Sequence, residues 1–422
     1  MISSMKHFIR QYCSETKISV KWIFFALLSG ILIGCVGSVF YYGIVLATEL
    51  RSSYPWLIFL LPAGGLAIVG LYHLLHDEKD SGTNLVLSAI HSNDKIPLKM
   101  APLIAISTLL THLFGGSAGR EGAALQLGGS IGNALGKLFR FDDKDQHIMI
   151  MCGMSAAFSA LFGTPLAAAI FSMEVVSVGI MHYSALVPCV VASLTAHGIA
   201  SLLGIAPESF DIDTLPDFTP ESAVVIGILA VLCAMVSILF CLTLHTGERF
   251  YRHFFKNAYV RAAVGGGIVI LLTLLVGNQT YNGAGMGYIE ECFETGTVFP
   301  AAFLLKMLFT AATLGAGYKG GEIVPSFFVG ATFGCLFGSL TGFSPALCTA
   351  VGMGAVFCGV TNCPITSLLI CFELFGFDAM PYFLIAIALS YMMSGYFGLY
   401  SSQKIIYSKY KTEYINRKTG SL

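Results

Sequence analysis

Long apolar runs, cut by short polar or glycine-rich breaks, organise this chain from Val20 to Tyr400. Val20 to about Leu46 reads as one long helix with small residues at Gly30, Gly34 and Gly37. Trp56 to about Leu75 reads as a second, with Pro62-Ala63-Gly64-Gly65 at its middle. A polar break, His76 to Ser81, precedes Gly82-Thr83-Asn84, which opens an apolar stretch from Leu85 to Ile90 that is too short to span a bilayer alone. Lys99 to Phe114 is apolar again and runs into Gly115-Gly116-Ser117-Ala118-Gly119-Arg120-Glu121-Gly122-Ala123. Gly128, Gly132 and Gly136 then show the small-xxx-small spacing that lets helices approach closely in lipid. After a charged turn, Arg140 to Asp145, the segment from His147 to about Val178 is interrupted at Gly163-Thr164-Pro165, and Tyr183 to Leu203 closes a first half. Ala206 to Glu221 holds Pro207, Pro216 and Pro220 with Glu208, Asp211, Asp213, Asp217 and Glu221 but no Lys or Arg, which suits an outer linker. Long helices follow from near Ala223 to about Val276. Next come a polar glycine-rich stretch, Asn278 to Gly287, an apolar run, Phe299 to Leu314, a glycine cluster, Gly315 to Gly321, and more apolar segments.

The two halves repeat. Cys152-Gly153-Met154-Ser155-Ala156-Ala157-Phe158 matches Val351-Gly352-Met353-Gly354-Ala355-Val356-Phe357. Gly153 to Pro165 and Gly352 to Pro364 are both twelve residues, and Pro165 to Glu174 and Pro364 to Glu373 are both nine. Upstream, Gly119-Arg120-Glu121 corresponds to Gly320-Gly321-Glu322, and Gly128, Gly132, Gly136 to Gly330, Gly334, Gly338. Isolated glycines match by chance in membrane helices, but landmarks in one order at nearly constant offset mark a duplicated transporter fold with broken helices. The expected layout is a short N-terminal amphipathic cytoplasmic helix (1–19), a first membrane repeat (20–205), an acidic extracellular linker (206–221), a second repeat (222–398), and a C-terminal helix and cytoplasmic tail (399–422).

Composition agrees. With 55% hydrophobic and 11% charged residues and a mean hydropathy of +0.77, the chain is an all-α polytopic membrane protein rather than a soluble one. A net charge of −1 gives no nucleic-acid signal. Lys6, Arg10, Lys17 and Lys21 at one end, and Lys404, Lys409, Lys411, Arg417 and Lys418 at the other, put both termini in the cytoplasm of a multi-pass cell-membrane protein. The apolar sequence after Lys17 is far longer than a signal peptide needs. The twelve cysteines lie in apolar segments without C-x-x-C or Cys/His clusters, so they read as packed thiols, with no metal or cofactor implied. H-E-x-x-H does not occur, which argues against a metal-dependent intramembrane hydrolase.

The chemistry concentrates at the breaks. A carboxylate at membrane depth is costly, which makes Glu121 a functional candidate. Gly82-Thr83-Asn84, Glu121-Gly122-Ala123 and Glu322-Ile323-Val324-Pro325 each start a helix, offering unpaired N–H groups and a positive dipole end. Three converging positive ends favour an anion, and no run of Asp or Lys supports a cation or sugar path. One glycine cluster alone would mean close packing; the paired glutamates tip the balance.

These motifs resemble a known family. Gly119-Arg120-Glu121-Gly122 resembles the G-(R/K)-E-G-P signature of CLC chloride channels and transporters, and Gly321-Glu322-Ile323-Val324-Pro325 its G-x-F-x-P motif. Asp80-Ser81-Gly82-Thr83-Asn84 lies where that family has G-S-G-I-P, and Leu399-Tyr400-Ser401 resembles its closing segment with the tyrosine of the anion site. The resemblance implies a fold of two inverted repeats, a homodimer with one pore per subunit, and Glu121 as a gating and proton-carrying glutamate. It implies an anion site from Ser81, Gly82, Thr83, Asn84, Gly122, Ile323, Val324, Phe327 and Tyr400, with Glu322 assisting proton or anion. With 22 residues after Tyr400, the CBS domains of many eukaryotic relatives are not expected. Departures are informative. Thr83-Asn84 replace Ile-Pro, Ala123 replaces Pro, Glu322-Ile323 replace x-Phe, and Val175 stands where chloride/proton antiporters keep an internal proton-accepting glutamate. This pattern resembles the fluoride/proton antiporter branch, although Val324 stands where that branch often has Thr. Chloride/proton antiport and a passive chloride channel are the alternatives. For Glu174 and Glu373 helix capping is the expectation, for His112 a buried structural role, for Phe327 packing or edge-on contact to the anion, and for Arg120 pairing with carbonyls or a carboxylate.

Overall fold

The computed structural model describes residues 2–77, 81–92, 94–212 and 215–420, with side chains from residue 15 onward. Asp80 and Asp213, and the side chains of Lys6 and Arg10, lie outside the described residues. The first half comprises α1 (Ile2–Ser53), α2 (Leu61–Leu74), α3 (Thr83–Ser92), α4 (Met100–Leu113), α5 (Glu121–Leu138), α6 (Asp143–Phe162), α7 (Pro165–Glu174), the short strand β1 (Ser177–Val178) and α8 (Leu186–Leu202). The second comprises α9 (Pro220–Phe254), α10 (Ala258–Val276), α11 (Met286–Thr295), α12 (Ala302–Gly315), α13 (Ile323–Thr341), α14 (Pro345–Thr361), α15 (Pro364–Phe375) and α16 (Met380–Met393), followed by β2 (Lys404–Tyr407) and β3 (Tyr414–Lys418).

Among the described residues, six helical stretches are long and apolar enough to cross a membrane. Others are half-length. The ten residues of α3 and of α7 rise only about 15 Å, half of the ~30 Å hydrocarbon core. Their ends are written locally. Gly163, at φ 75°, stops α6 and Asn362, at φ 59°, stops α14, and each is followed two residues on by a proline that starts the next helix. Thr219 and Ser222 form a capping box that starts α9 straight after the linker.

The repeats run in opposite directions. The start of α6 sits by α1, where Asp145 pairs with Lys21 at 2.5 Å, and α6 ends with Gly163 against Pro207 of the linker. The start of α14 lies by Gly296 at the end of α11, whose Phe293 stacks on the linker's Phe210 at 5.0 Å; α14 ends beside Gln403 on the face that carries the hairpin. Within each repeat the glycine ladders make the contact. Gly128 and Gly132 of α5 lie on the backbone of Gly153 and Met149, and Gly330 and Gly334 of α13 on that of Gly352 and Cys348. Removing side chains brings the backbones together and supplies the dispersion contact that hydrophobicity cannot supply in lipid.

The half-helices α7 and α15 cap each other. Glu174 accepts from the Ile365 and Thr366 N–H groups at 3.1 and 2.8 Å, and Glu373 accepts from Leu166 and Ala167 at 2.8 and 2.9 Å. Each carboxylate thus satisfies orphan donors at the other helix's positive end, the capping role expected of this pair. Glu174→Ala should therefore cost about 1–2 kcal/mol, read as a lower unfolding midpoint in detergent; an unchanged midpoint would mean that water replaces the cap at no cost.

Two expectations need correction. The described residues of the 399–422 segment do not form a helix. After a turn at Leu399–Gln403, β2 pairs antiparallel with β3 and parallel with β1. Ile405-Ile406-Tyr407 is β-branched and aromatic, and the buried strand β1 offers the ladder that such a segment prefers. At the other end, α1 runs unbroken through residue 19, so the N-terminal segment and the first membrane helix are one element.

Candidate anion-binding site

The two motif loops meet at the centre. Gly119 and Gly321 exchange both backbone hydrogen bonds, at 2.7 and 2.8 Å, in an antiparallel bridge across the repeats. Glycine is needed here: a Cβ on Gly122 would lie 2.8 Å from the Gly321 Cα, and one on Gly119 2.9 Å from a Glu121 carboxylate oxygen. This bridge sets the starts of α5 and α13 side by side, with their N–H groups facing one region.

Glu121 is fully buried. One carboxylate oxygen accepts the Arg120 backbone N–H at 3.0 Å; the other is 3.4 Å from Arg120 Nε and has no hydrogen-bond partner. The carboxylate is thus folded back across the positive end of its own helix, where an external anion would also be held. Arg120 donates to Glu208 of the linker at 2.8 Å and lies 4.8 Å above Tyr41, so the expected carboxylate pairing is met at the linker face.

Beyond this point a cavity of about 990 Å³ opens between the halves. Ser81, Gly82, Thr83 and Asn84 line it from the start of α3, Glu322 from the start of α13, and Tyr400 from the C-terminal turn. Thr83 Oγ1 donates to the Gly122 carbonyl at 3.3 Å, tying the starts of α3 and α5 together. Asn84 Oδ1 accepts from the Ser402 N–H at 3.0 Å. The Tyr400 hydroxyl and one Glu322 oxygen are buried without hydrogen-bond partners. Gly122, Ile323, Val324 and Phe327 stand behind this lining: Ile323 and Val324 are buried, and Phe327 stacks between Phe162 and Phe357 at 5.6 and 5.0 Å. Of the two readings offered for Phe327, packing is the one the geometry displays.

Two polar residues were passed over in the sequence. Gln126, one turn past Gly122, is buried, donates to Thr83 at 3.2 Å and leaves its carbonyl oxygen unpartnered at the cavity. Its signal was legible as a lone amide among Ala123–Gly129, on the helix face of Gly122 at i+4. Lys306, in apolar α12, is fully buried and donates to the Tyr281 and Gly283 carbonyls at 3.1 and 2.8 Å, pinning the glycine-rich loop before α11. His112 is buried, as expected, but its Nε2 has no hydrogen-bond partner, so the satisfied histidine that was expected is only half met.

The cavity mouth is basic. Arg249, Arg252, Lys256, Arg261 and Lys319 line it against the acidic Glu248 and Glu322, and Glu248 is already paired with Arg252 at 2.7 Å. A funnel of one sign raises the local concentration of counter-charged ions. Replacing Arg249 and Lys256 together by Gln should lower flux about threefold at low salt and subsaturating anion, with little change at high salt. Equal loss at all ionic strengths would assign these residues to structure instead.

The comparisons agree with this geometry. The profile of the voltage gated chloride channel family matches residues 64–395. A chloride/fluoride channel protein of Pseudomonas syringae pv. tomato is 34% identical over 397 residues, covering 92% of this chain and 88% of the relative. A solved CLC-type fluoride/proton antiporter superposes with a TM-score of 0.87 at 32% identity, over 91% of this chain and 98% of that one. A slow cyanobacterial Cl-/H+ antiporter, 19% identical, shares the fold with a TM-score of 0.77, over 88% of this chain and 94% of its own. Glycine-bridged repeats, a carboxylate on its own helix start and a profile match across most of the chain lead to one conclusion: this membrane protein belongs to the voltage gated chloride channel, or CLC, family.

Proposed function

We propose that the protein expels fluoride from the cytoplasm in exchange for protons. It would sit in the cell membrane with both termini inside, as a homodimer in which each subunit carries its own path. The observation that carries this reading is the Glu121 carboxylate lying across the start of α5, with an unpartnered oxygen, beside a second carboxylate at Glu322. A charged Glu121 and a permeant anion compete for the same N–H groups. Protonation removes the competitor and admits the anion; return of the charged carboxylate expels it and releases the proton. The proton and the anion thereby move in opposite directions through one site.

Fluoride is the favoured anion because the lining is polar. Fluoride holds its water tightly and accepts strong hydrogen bonds, so a site must replace its hydration shell with donors. The Tyr400 hydroxyl, buried without a partner, is the free donor at the cavity, and Thr83, Gln126 and Asn84, tied to Gly122, to Thr83 and to Ser402, make the rest of its lining polar. The likeness to a solved CLC-type fluoride/proton antiporter supports the same anion. Val175, at the position of the internal proton glutamate in chloride/proton antiporters, is fully buried and caps nothing with its side chain, which favours fluoride exchange over chloride exchange. The basic mouth lies on the face of the C-terminal hairpin, the side from which cytoplasmic anion would enter.

Liposomes loaded with potassium fluoride or potassium chloride, with valinomycin present, provide the test. Fluoride efflux with coupled proton uptake and much slower chloride is expected. Fast chloride efflux overturns the selectivity, and the accompanying pH trace then separates an exchanger from a channel. Light scattering in detergent checks the dimer.

A further inference from the structure

Tyr400 is 2% exposed and its hydroxyl has no hydrogen-bond partner. Nothing polar on the ring fixes its place, so its position follows from packing and from its backbone. That backbone belongs to the turn Leu399–Gln403. Leu399 donates to Val360 at 2.9 Å, Ser402 donates to the Asn84 side chain at 3.0 Å, and Gln403 donates its N–H to the Tyr400 carbonyl at 3.0 Å.

The Gln403 side chain is the knot of this turn. It is fully buried. Its amide donates to the Val175 carbonyl at 2.9 Å, just after α7 in the first repeat, and to the Thr361 carbonyl at 2.8 Å, at the end of α14 in the second. Its oxygen accepts from Asn362 at 3.0 Å. Its backbone carbonyl accepts from both the N–H and the hydroxyl of Thr419, at 3.1 and 2.9 Å, which closes the hairpin over it. Asn362 in turn accepts from Lys409, whose ammonium also donates to the Tyr391 carbonyl at 3.0 Å and to Ser394 at 3.2 Å. Both amide protons and the side-chain oxygen of Gln403 are thus used, in a buried network where losing one partner leaves others unsatisfied.

We infer that the C-terminal hairpin, acting through Gln403, is the device that positions the Tyr400 hydroxyl at the anion path. Gln403 is a positioning residue: it touches neither cavity nor ion, but it locks the tyrosine turn to both repeats at once. The turn is also clamped to α3 through Asn84, so the start of α3 and the tyrosine keep a fixed spacing. The consequence for transport rests on the proposed role of Tyr400; the positional claim does not.

The test separates the two. A fluorinated tyrosine placed at 400 gives a single narrow fluorine resonance in the otherwise unaltered protein. Gln403→Met, which keeps length and removes the amide, should broaden or split it. An unchanged resonance in a folded Gln403→Met protein overturns the inference. Lys409→Met, at the far end of the network, serves the same purpose if Gln403→Met does not fold; it should broaden the resonance more weakly. In liposomes, Gln403→Met should reduce fluoride flux about tenfold, the scale of one hydrogen bond to a charged group. Combined with Tyr400→Phe it should add less than twofold to the loss caused by Tyr400→Phe alone, because both act through one hydroxyl. Losses that multiply also overturn the inference. If Tyr400→Phe leaves flux intact while the resonance still responds to Gln403, the anion role of Tyr400 fails and the hairpin's positioning role stands.

Discussion

In the Glu121→Gln variant, anion efflux continues while coupled proton uptake falls at least about a hundredfold, the lower range for removing a positioned proton carrier. Glutamine keeps the length and the acceptor oxygen of the glutamate, so the contact with the Arg120 N–H at 3.0 Å can survive. What it loses is the charge and the proton. It can no longer compete with a permeant anion for the start of α5 with a full negative charge, and it cannot load and unload a proton on each cycle. The two losses act on different observables. Proton uptake disappears, and the anion flux becomes passive and follows the membrane potential. An electrode recording fluoride together with external pH reads both in one trace. A wild-type ratio of protons to anions in this variant would falsify the assignment of Glu121 as the carrier and move the search to Glu322, the other carboxylate at a helix start.

Gly128→Leu yields no monodisperse protein in detergent, whereas Gly70→Leu does. A Cβ on Gly128 would run into the Gly153 carbonyl, and one on Gly70 meets nothing within 4 Å. Ordinary overpacking costs about 1–3 kcal/mol because side chains shift to make room. At Gly128 the obstacle is backbone of a helix that is itself locked on Gly132, so α5 and α6 must separate. That loss is large against a total stability on the order of 5–15 kcal/mol. The same reasoning applies to Gly330, whose Cβ would meet the Gly352 carbonyl in the second repeat. Size-exclusion profiles of the three leucine variants check this; a sharp native peak for Gly128→Leu would mean that the helix pair has slack that the close backbone contacts do not suggest.

Most of the architecture was legible because membrane sequences write it in small residues and breaks. The glycine spacing at 128, 132 and 136, repeated at 330, 334 and 338, announces which helix faces approach, since only a missing Cβ permits it. Proline and glycine at 163–165 and 364 mark where helices stop inside the bilayer, and Glu174 and Glu373 at equal offsets announce mutual caps. The C-terminal hairpin was not legible. Its parallel partner, Ser177–Val178, is only two residues long and lies in the other repeat, so the β-branched Ile405-Ile406 meets a strand to pair with only once the repeats have packed. Gln126, Gln403 and Lys306 escaped notice for a related reason: a single polar residue in an apolar run has meaning only through the distant carbonyls and hydroxyls it meets.

Local chemistry along the chain suffices to read a duplicated membrane protein with broken helices, with Glu121 and Glu322 at helix starts. These properties are local, set by hydrophobic length, by glycine and proline, and by charge at a helix end. That Gly119 and Gly321 bridge, placing both helix starts in one region, emerges only from the packed fold. The same holds for the Glu121 carboxylate lying back across its own N–H groups, and for Tyr400 being held by a hairpin tied to both repeats. The Gly119–Gly321 bridge and the tie from Gln403 to Val175 join segments some two hundred residues apart, and a contact of that kind exists only once the packed helices have fixed the distance between its partners; the Glu121 carboxylate bends back on its own neighbour, in a place that this packing closes around it.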